Sequence, residues 1–196
     1  MFDIKELTKE QHKNAERQAF VKILMSGKIH RDAYATYLYN QLQCYSKLEL
    51  EGRKIDLFKQ TPGLERSEAI YKDYKQLWKY PDNPPRITES TKEYIEHIDE
   101  IKEHAEKMYA HIYVRHMGDL RGGQMIRKKV PGAGRYYNFT TKQMNQYSDA
   151  IRELVNGYLN VYQINVVAEA RYCFESATKL FKEMKELHDL GTTNRE

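Results

Sequence analysis

Apolar residues in this chain recur at intervals of three and four almost from end to end, the period of helices that bury one face. Tyr34, Leu38, Leu42, Tyr45 and Leu48 form one such stripe, and they predict a helix over about 33–54 that Asp32 caps. A first amphipathic helix is predicted over about 4–25, ending near Gly27. A third, about 64–80, carries Leu64, Tyr71, Tyr74, Leu77 and Trp78. It lies between the breaks Thr61-Pro-Gly and Pro81-Asp-Asn-Pro-Pro. Ser90-Thr-Lys-Glu93 reads as a capping box opening a helix with Ile95, Ile98 and Ile101 on one side. That helix, with a break near 104, leads into a glycine-rich segment, and Pro131-Gly-Ala-Gly ends the next element. Thr140 or Thr141 starts another helix, and a last one runs from about Asn160 to about His188. No stretch alternates with the period of a strand. The predicted class is all-α: one compact helical domain over 1–190 and a polar tail over 191–196.

Composition narrows the partners. No apolar run approaches the ~20 residues of a membrane span, and Met1-Phe-Asp-Ile-Lys-Glu6 has no apolar signal core. A soluble, cytoplasmic monomer is expected. The net charge of +4 is too mild to imply nucleic acid. One basic cluster exists, Arg127-Lys128-Lys129 with Arg135. The chain has 16 tyrosines, and they fall at helical spacing, which makes most of them core residues and not a stacking platform. Cys44 and Cys173 lie in apolar or aromatic helical segments and read as buried, inert thiols.

The least ordinary stretch is Tyr113-Val-Arg-His-Met-Gly118-Asp119-Leu-Arg-Gly122-Gly123-Gln124. Each glycine in a helix costs up to ~1 kcal/mol relative to alanine. Three of them need a reason, and room for a flat ligand against the backbone is one. Asp119, among them, is placed to organise water and protons. A second constellation lies on the first helix. Lys5, Lys9, His12 and Glu16 are spaced by four, three and four, so one continuous helix puts them on one face. A neutral histidine ligates metal, and a carboxylate one turn on fixes its tautomer and raises its basicity. Two lysines reach two anionic groups. An iron in a plane, two carboxylates at one edge and a flat apolar body describe haem.

The segments around His12 and Asp119 resemble the proximal and distal helix motifs of the haem oxygenases. Tyr45-Ser-Lys-Leu-Glu-Leu-Glu51 is similar to the family's second-helix block, and Tyr147-Ser-Asp-Ala-Ile-Arg-Glu-Leu154 and Ala170-Arg-Tyr-Cys-Phe174 to weaker blocks. The resemblance implies His12 as the iron ligand, Glu16 as its partner, and Lys5 and Lys9 on the haem propionates. It implies Gly118, Gly122 and Gly123 against the distal haem face, with Tyr113 and Phe174 lining the site. Asp119, supported by Tyr45 and Arg115, would hold the water network beside bound O2. The implied reaction takes haem, O2 and electrons from ferredoxin to biliverdin, CO and Fe2+. Arg127, Lys128 and Lys129 are the implied ferredoxin contact, and a bilin reductase would act downstream.

The chain departs from the family pattern at Arg121, commonly serine, and His116, commonly aromatic. Met144 and Ser148 stand where basic propionate partners are usual. The competing reading is a haem carrier, which explains His12 and the lysines but not Asp119 among glycines. A di-iron oxygenase needs Glu-x-x-His pairs, and no histidine here has an acid three positions before it. His97, His104 and His111 recur every seven residues and are expected to be surface or boundary residues, not a metal site.

Overall fold

The computed structural model describes residues 3–193, and side chains through residue 191. Among the described residues every regular element is helical. Three short helices come first: α1 (Ile4–Leu7), α2 (Lys9–Glu16) and α3 (Ala19–Ser26). Then follow α4 (Arg31–Lys54), α5 (Ser67–Leu77), α6 (Glu89–Ile101), α7 (Ala105–Arg121), α8 (Gly123–Arg127) and α9 (Thr141–Thr193). No described helix is long and apolar enough to cross a membrane.

The single first helix predicted over 4–25 is corrected to three pieces. Thr8 leaves helical geometry at φ −118°, ψ 11°, and its hydroxyl turns back onto the Ile4 carbonyl at 2.7 Å. Gln18, at ψ 142°, breaks the chain again before α3. Gly27 ends α3 at φ 73°, a left-handed position that glycine adopts without strain. Lys5 therefore lies on a different helix from Lys9, His12 and Glu16.

Two caps also differ from expectation. His30, not Asp32, caps α4, its Nδ1 accepting from the Asp32 N–H at 3.2 Å. Thr88, not Ser90, caps α6 through the Thr91 N–H. Ser90 is engaged elsewhere, because Glu183 of α9 accepts from the backbone N–H of Glu89 and Ser90 at 3.1 Å and from the Ser90 hydroxyl. A carboxylate there opposes the positive end of α6. The break near residue 104 is present, with His104 at the start of α7. The two helices expected after residue 140, the second from about Asn160, are present and meet at a kink at Tyr162 (φ −123°, ψ 41°) within α9. The tail expected from 191 begins inside α9, and 194–196 lie outside the described residues.

The core has two centres. One gathers Cys44, Leu48, Tyr94, Ile98, Met108, Ile112, Leu120, Ile151, Val166 and Cys173 from α4, α6, α7 and α9. The other gathers Phe20, Leu24, Tyr34, Leu38, Ile70, Tyr136 and Met184 from α3, α4, α5, the 136–137 segment and the end of α9. Helix α9 joins both, so the elements carrying the two candidate constellations share one support. Both cysteines are buried, as expected, and so are Tyr34, Tyr37, Tyr45, Tyr94, Tyr109, Tyr136, Tyr137 and Tyr147.

Candidate functional site

The buried face of α4 carries a polar ladder at four-residue spacing. Tyr37, Gln41, Tyr45 and Glu49 are one turn apart and point the same way. Gln41 Nε2 donates to the Tyr37 hydroxyl at 2.6 Å, while its Oε1 accepts from Arg115 Nη1 at 3.0 Å. The Tyr45 hydroxyl donates to Asp119 Oδ2 at 2.6 Å. Glu49 Oε1 lies 3.1 Å from His116 Nε2. Three successive rungs of α4 thus engage Arg115, Asp119 and His116 of α7. All are buried, so each pairing removes a desolvation penalty as well as adding a bond.

Asp119 is the rung whose chemistry stands out. Burial pushes its carboxyl up to about 6; His116, the Tyr45 and Tyr136 hydroxyls and Arg66 pull the other way without prevailing. A group titrating there exchanges protons near neutral pH. The Tyr45 phenol is pushed well above its ordinary value, first by burial and then by the Asp119 charge, so it acts as a donor. Its ring is edge-on to Tyr136 at 5.6 Å and to His116 at 5.2 Å. The Arg115 guanidinium lies over the Tyr94 ring at 4.0 Å.

Glu49 has a second task. It accepts from the backbone N–H of Arg66 at 2.5 Å and of Ser67 at 3.0 Å, the open donors at the start of α5. Burial alone would raise its carboxyl, but the His116 imidazole and these N–H groups hold it below the ordinary range. His116, which departs from the family pattern, is therefore matched by a buried acid on α4.

The glycines divide by what surrounds them. None of Gly118, Gly122 and Gly123 has a positive φ, so space and not backbone freedom accounts for them. A Cβ on Gly118 would meet nothing within 4 Å, and Gly118 is exposed. A Cβ on Gly122 would lie 3.3 Å from the Gly118 carbonyl. On Gly123 it would lie 2.3 Å from Tyr137 Cδ1, so the room at Gly123 is filled by the chain's own aromatic ring. Gly118, Arg121 and Gly122 share one face of α7 by the i, i+3, i+4 rule, and Arg121 is exposed there. Asp119 points from the next position into the interior.

On α2, His12 Nε2 sits 3.1 Å from Glu16 Oε1, the expected one-turn pair. The His12 side chain is 45% exposed, and its ring lies 5.2 Å from Phe174 of α9. Arg171 of α9 donates to the Leu7 carbonyl at 2.9 Å, fixing the α1–α2 junction. Lys9 Nζ pairs with Glu6 Oε2 at 3.0 Å, and Lys5 is exposed on α1. Tyr113 is half-buried, its phenol pushed up to about 12, first by burial and then by the charge of Asp3. The structure thus brings together Tyr45, Arg115 and Asp119 in one network, and His12, Glu16 and Phe174 in another. Met144 is partly buried against the core and Ser148 is fully buried.

Sequence reasoning missed Gln41, Glu49, His116 and Tyr136 as network members. The four-residue spacing of the α4 polar residues was the available signal. It also missed a cluster on the far side of α7. His111 is fully buried, which corrects the surface or boundary position expected of it, and it meets Glu169 together with His97.

Comparison with known proteins places this geometry. Heme oxygenase 2 of the rabbit Oryctolagus cuniculus is 28% identical over 207 residues, covering 92% of this chain and 64% of the relative. The chain therefore spans just under two thirds of that relative's length. Heme oxygenase 1 of the rat Rattus norvegicus is 27% identical over 208 residues, 94% of this chain and 71% of the relative. Among solved structures, heme oxygenase from Leptospira interrogans superposes with a TM-score of 0.78 at 28% identity, covering 92% of this chain and 97% of that one. Heme oxygenase-1 from the cyanobacterium Synechocystis, solved in complex with heme, gives a TM-score of 0.83 over 97% of this chain and 94% of that one. At 24% identity it speaks for the fold alone. The family profile described as Heme oxygenase matches residues 2–183, nearly the whole helical domain, and the chain belongs to the haem oxygenase family.

Proposed function

We propose that this chain binds haem between the His12 face of α2 and the Gly118–Gly122 face of α7 and cleaves it oxidatively. O2 and electrons from reduced ferredoxin would be consumed, and biliverdin, CO and Fe2+ released. The observation that carries this reading is the pairing of an open backbone surface at Gly118 with a buried acid at the adjacent Asp119, titrating at about 6.

The residues present fit haem. Gly118 offers bare backbone to a flat molecule, and the half-exposed His12 is backed by Phe174. One imidazole nitrogen engages Glu16, which orients the ring and leaves the other for iron. Lys5 and Lys9 are exposed cations for the propionates, and Lys9 gives up only a solvent-exposed pair with Glu6 to reach them. Bound haem supplies the iron that O2 meets and is itself the molecule oxidised. Asp119 holds and passes a proton at its carboxylate, with Oδ2 anchored by Tyr45. Arg115 and Gln41 fix the α4–α7 spacing that anchors it. A proton source of this strength, held behind the glycine face, supplies protons without being a strong acid.

Lys128 and Lys129 are exposed after α8, next to the partly buried Arg127, and would attract an acidic electron donor such as ferredoxin. A haem carrier would need the α2 constellation but has no use for a carboxyl held at about 6 behind a glycine surface. The test is to add haem and a ferredoxin reducing system and follow the visible spectrum. Loss of the Soret band with a rise of biliverdin absorbance is the expected outcome. A Soret band stable throughout turnover would overturn the oxygenase reading and leave the carrier.

A further inference from the structure

The unused cluster behind α7 is the richest donor set outside the α2 and α7 faces. His97 of α6, His111 of α7 and Glu169 of α9 converge from three helices, their nearest ligand atoms all within 4.8 Å of one another. His97 Nε2 is 2.6 Å and His111 Nε2 3.1 Å from the same oxygen, Glu169 Oε2. We propose that His97, His111 and Glu169 form a binding site for a zinc-class divalent metal ion. This inference does not rest on haem binding.

Chemistry and geometry both favour the assignment. Two imidazoles and one carboxylate, with a position left for water, are a donor set zinc takes. Donors about 2.0–2.1 Å from a tetrahedral ion stand roughly 3.3 Å apart. The two contacts to Glu169, 2.6 and 3.1 Å, fall just short of that value, and all three donors lie within 4.8 Å, so small side-chain adjustments admit the ion. The outward nitrogen of His111 is hydrogen-bonded as a ligating histidine requires. His111 Nδ1 is 3.0 Å from the Tyr94 hydroxyl, and His97 Nδ1 faces Glu100 Oε2 at 3.9 Å. The His97 ring is stacked on Tyr172 at 3.8 Å, which sets its plane. Access is provided on one side only: the side chain of His111 is 0% exposed, those of His97 and Glu169 20% and 11%.

The metal-free network uses the other tautomers. With Tyr94 donating to His111 Nδ1, both Nε2–H groups donate to Glu169. Moving each imidazole proton from Nε2 to Nδ1 turns both nitrogens toward an ion, and the Tyr94 hydroxyl then accepts where it had donated. No net proton need leave the two rings. The neutral imidazole that burial favours at His111 and the ionised carboxylate of Glu169 are the forms a metal takes.

The experiment titrates the haem-free chain with ZnCl2 by calorimetry at pH 7.5 and repeats it with CoCl2 in the visible. One Zn2+ per chain is expected, with a cobalt d–d spectrum of a four- or five-coordinate site. Tyr94→Phe, which removes a supporting hydroxyl, should weaken binding by about 10–100-fold. His97→Ala and Glu169→Gln should weaken it further than that. His97→Gln keeps a donor to Glu169 and so guards against mere unfolding; it too should lose the site while its urea unfolding stays cooperative. His12→Ala should bind Zn2+ as the parent does. Absence of stoichiometric binding, parental affinity in folded His97→Gln, or loss of binding in His12→Ala would each overturn the proposal.

Discussion

The Tyr45 hydroxyl donates to Asp119 Oδ2 at 2.6 Å, across the interface of α4 and α7, while the Asp119 carboxyl titrates at about 6. A hydrogen bond to a carboxylate normally lowers its pKa; here burial outweighs it. The folded state therefore holds a proton on Asp119 over a range of pH where the unfolded chain has released it. The stability this gives is complete below about pH 4 and is lost as pH rises through about 6. The difference is about 3 kcal/mol, since each pKa unit is worth 1.36 kcal/mol. Asp119→Asn keeps an acceptor for Tyr45 and has nothing to titrate. Urea unfolding of both chains at pH 4.5 and 7.5 should show the variant gaining on the parent as pH rises. Parallel pH profiles would mean that Asp119 is not desolvated.

Glu49 is the most heavily used acid in the interior, bonded to His116 and to two backbone N–H groups at the start of α5. Glu49→Ala leaves the buried His116 and two partly buried backbone N–H groups unpaired, and breaking a buried pair from one side costs about 3–5 kcal/mol. Glu49→Gln still offers an acceptor and should cost less. Denaturant midpoints of the two variants check the order. If alanine is no worse than glutamine, Glu49 contributes packing alone.

Much of this was legible in the sequence because helical periodicity and turn residues are local signals. The stripe from Tyr34 to Leu48 marks α4, and Thr61-Pro-Gly and Pro81 mark its successors' limits. His12 with Glu16 is a one-turn pair, and a one-turn pair is visible in one dimension. The Thr8 break was not, because a threonine that bonds its own i−4 carbonyl looks like any helical threonine until the backbone turns. Nor were the caps at His30 and Thr88; at α6 the competition between Thr88 and Ser90 was decided by Glu183, more than ninety residues away. The Glu49–His116 and His97–His111–Glu169 groups join separate helices, so their spacing in the chain carries no trace of them. Gly123 shows the same limit. It sits in the same motif as Gly118, yet only the fold reveals that Tyr137 fills the space beside it.

His12 tests the metal-facing side of the proposed site. His12→Ala should keep the fold, since the side chain is 45% exposed, and should lose the spectrum of histidine-ligated haem. Glu16→Gln retains the ligand but weakens the partner that orients it, and affinity for haem should fall by about 10–100-fold, the range for outer-shell substitutions. Haem titration followed at the Soret band measures both. Unchanged ligation in His12→Ala would move the iron to another histidine.

The glycine segment yields the sharpest contrast, because three glycines in one motif have three different surroundings. Gly118→Ala places a methyl group where nothing lies within 4 Å, so the empty chain should be unharmed. Replacing a helical glycine should stabilise it by up to about 1 kcal/mol. The same methyl group would stand in the surface proposed to meet haem, so haem affinity and turnover should fall. Gly123→Ala puts its Cβ 2.3 Å from Tyr137 Cδ1, in a ring stacked on Tyr136 at 4.0 Å. The ring is buried, and overpacking of this kind costs about 1–3 kcal/mol. Thermal unfolding of the haem-free variants, set beside haem titrations, separates the two effects. Gly118→Ala should unfold at a higher temperature than the parent and bind haem less well. Gly123→Ala should unfold at a lower one. If Gly118→Ala binds and turns over haem as the parent does, the open face of α7 is not where the macrocycle lies. If both variants lose stability equally, the glycines serve packing alone, and Asp119 loses the ligand surface its proton is proposed to serve.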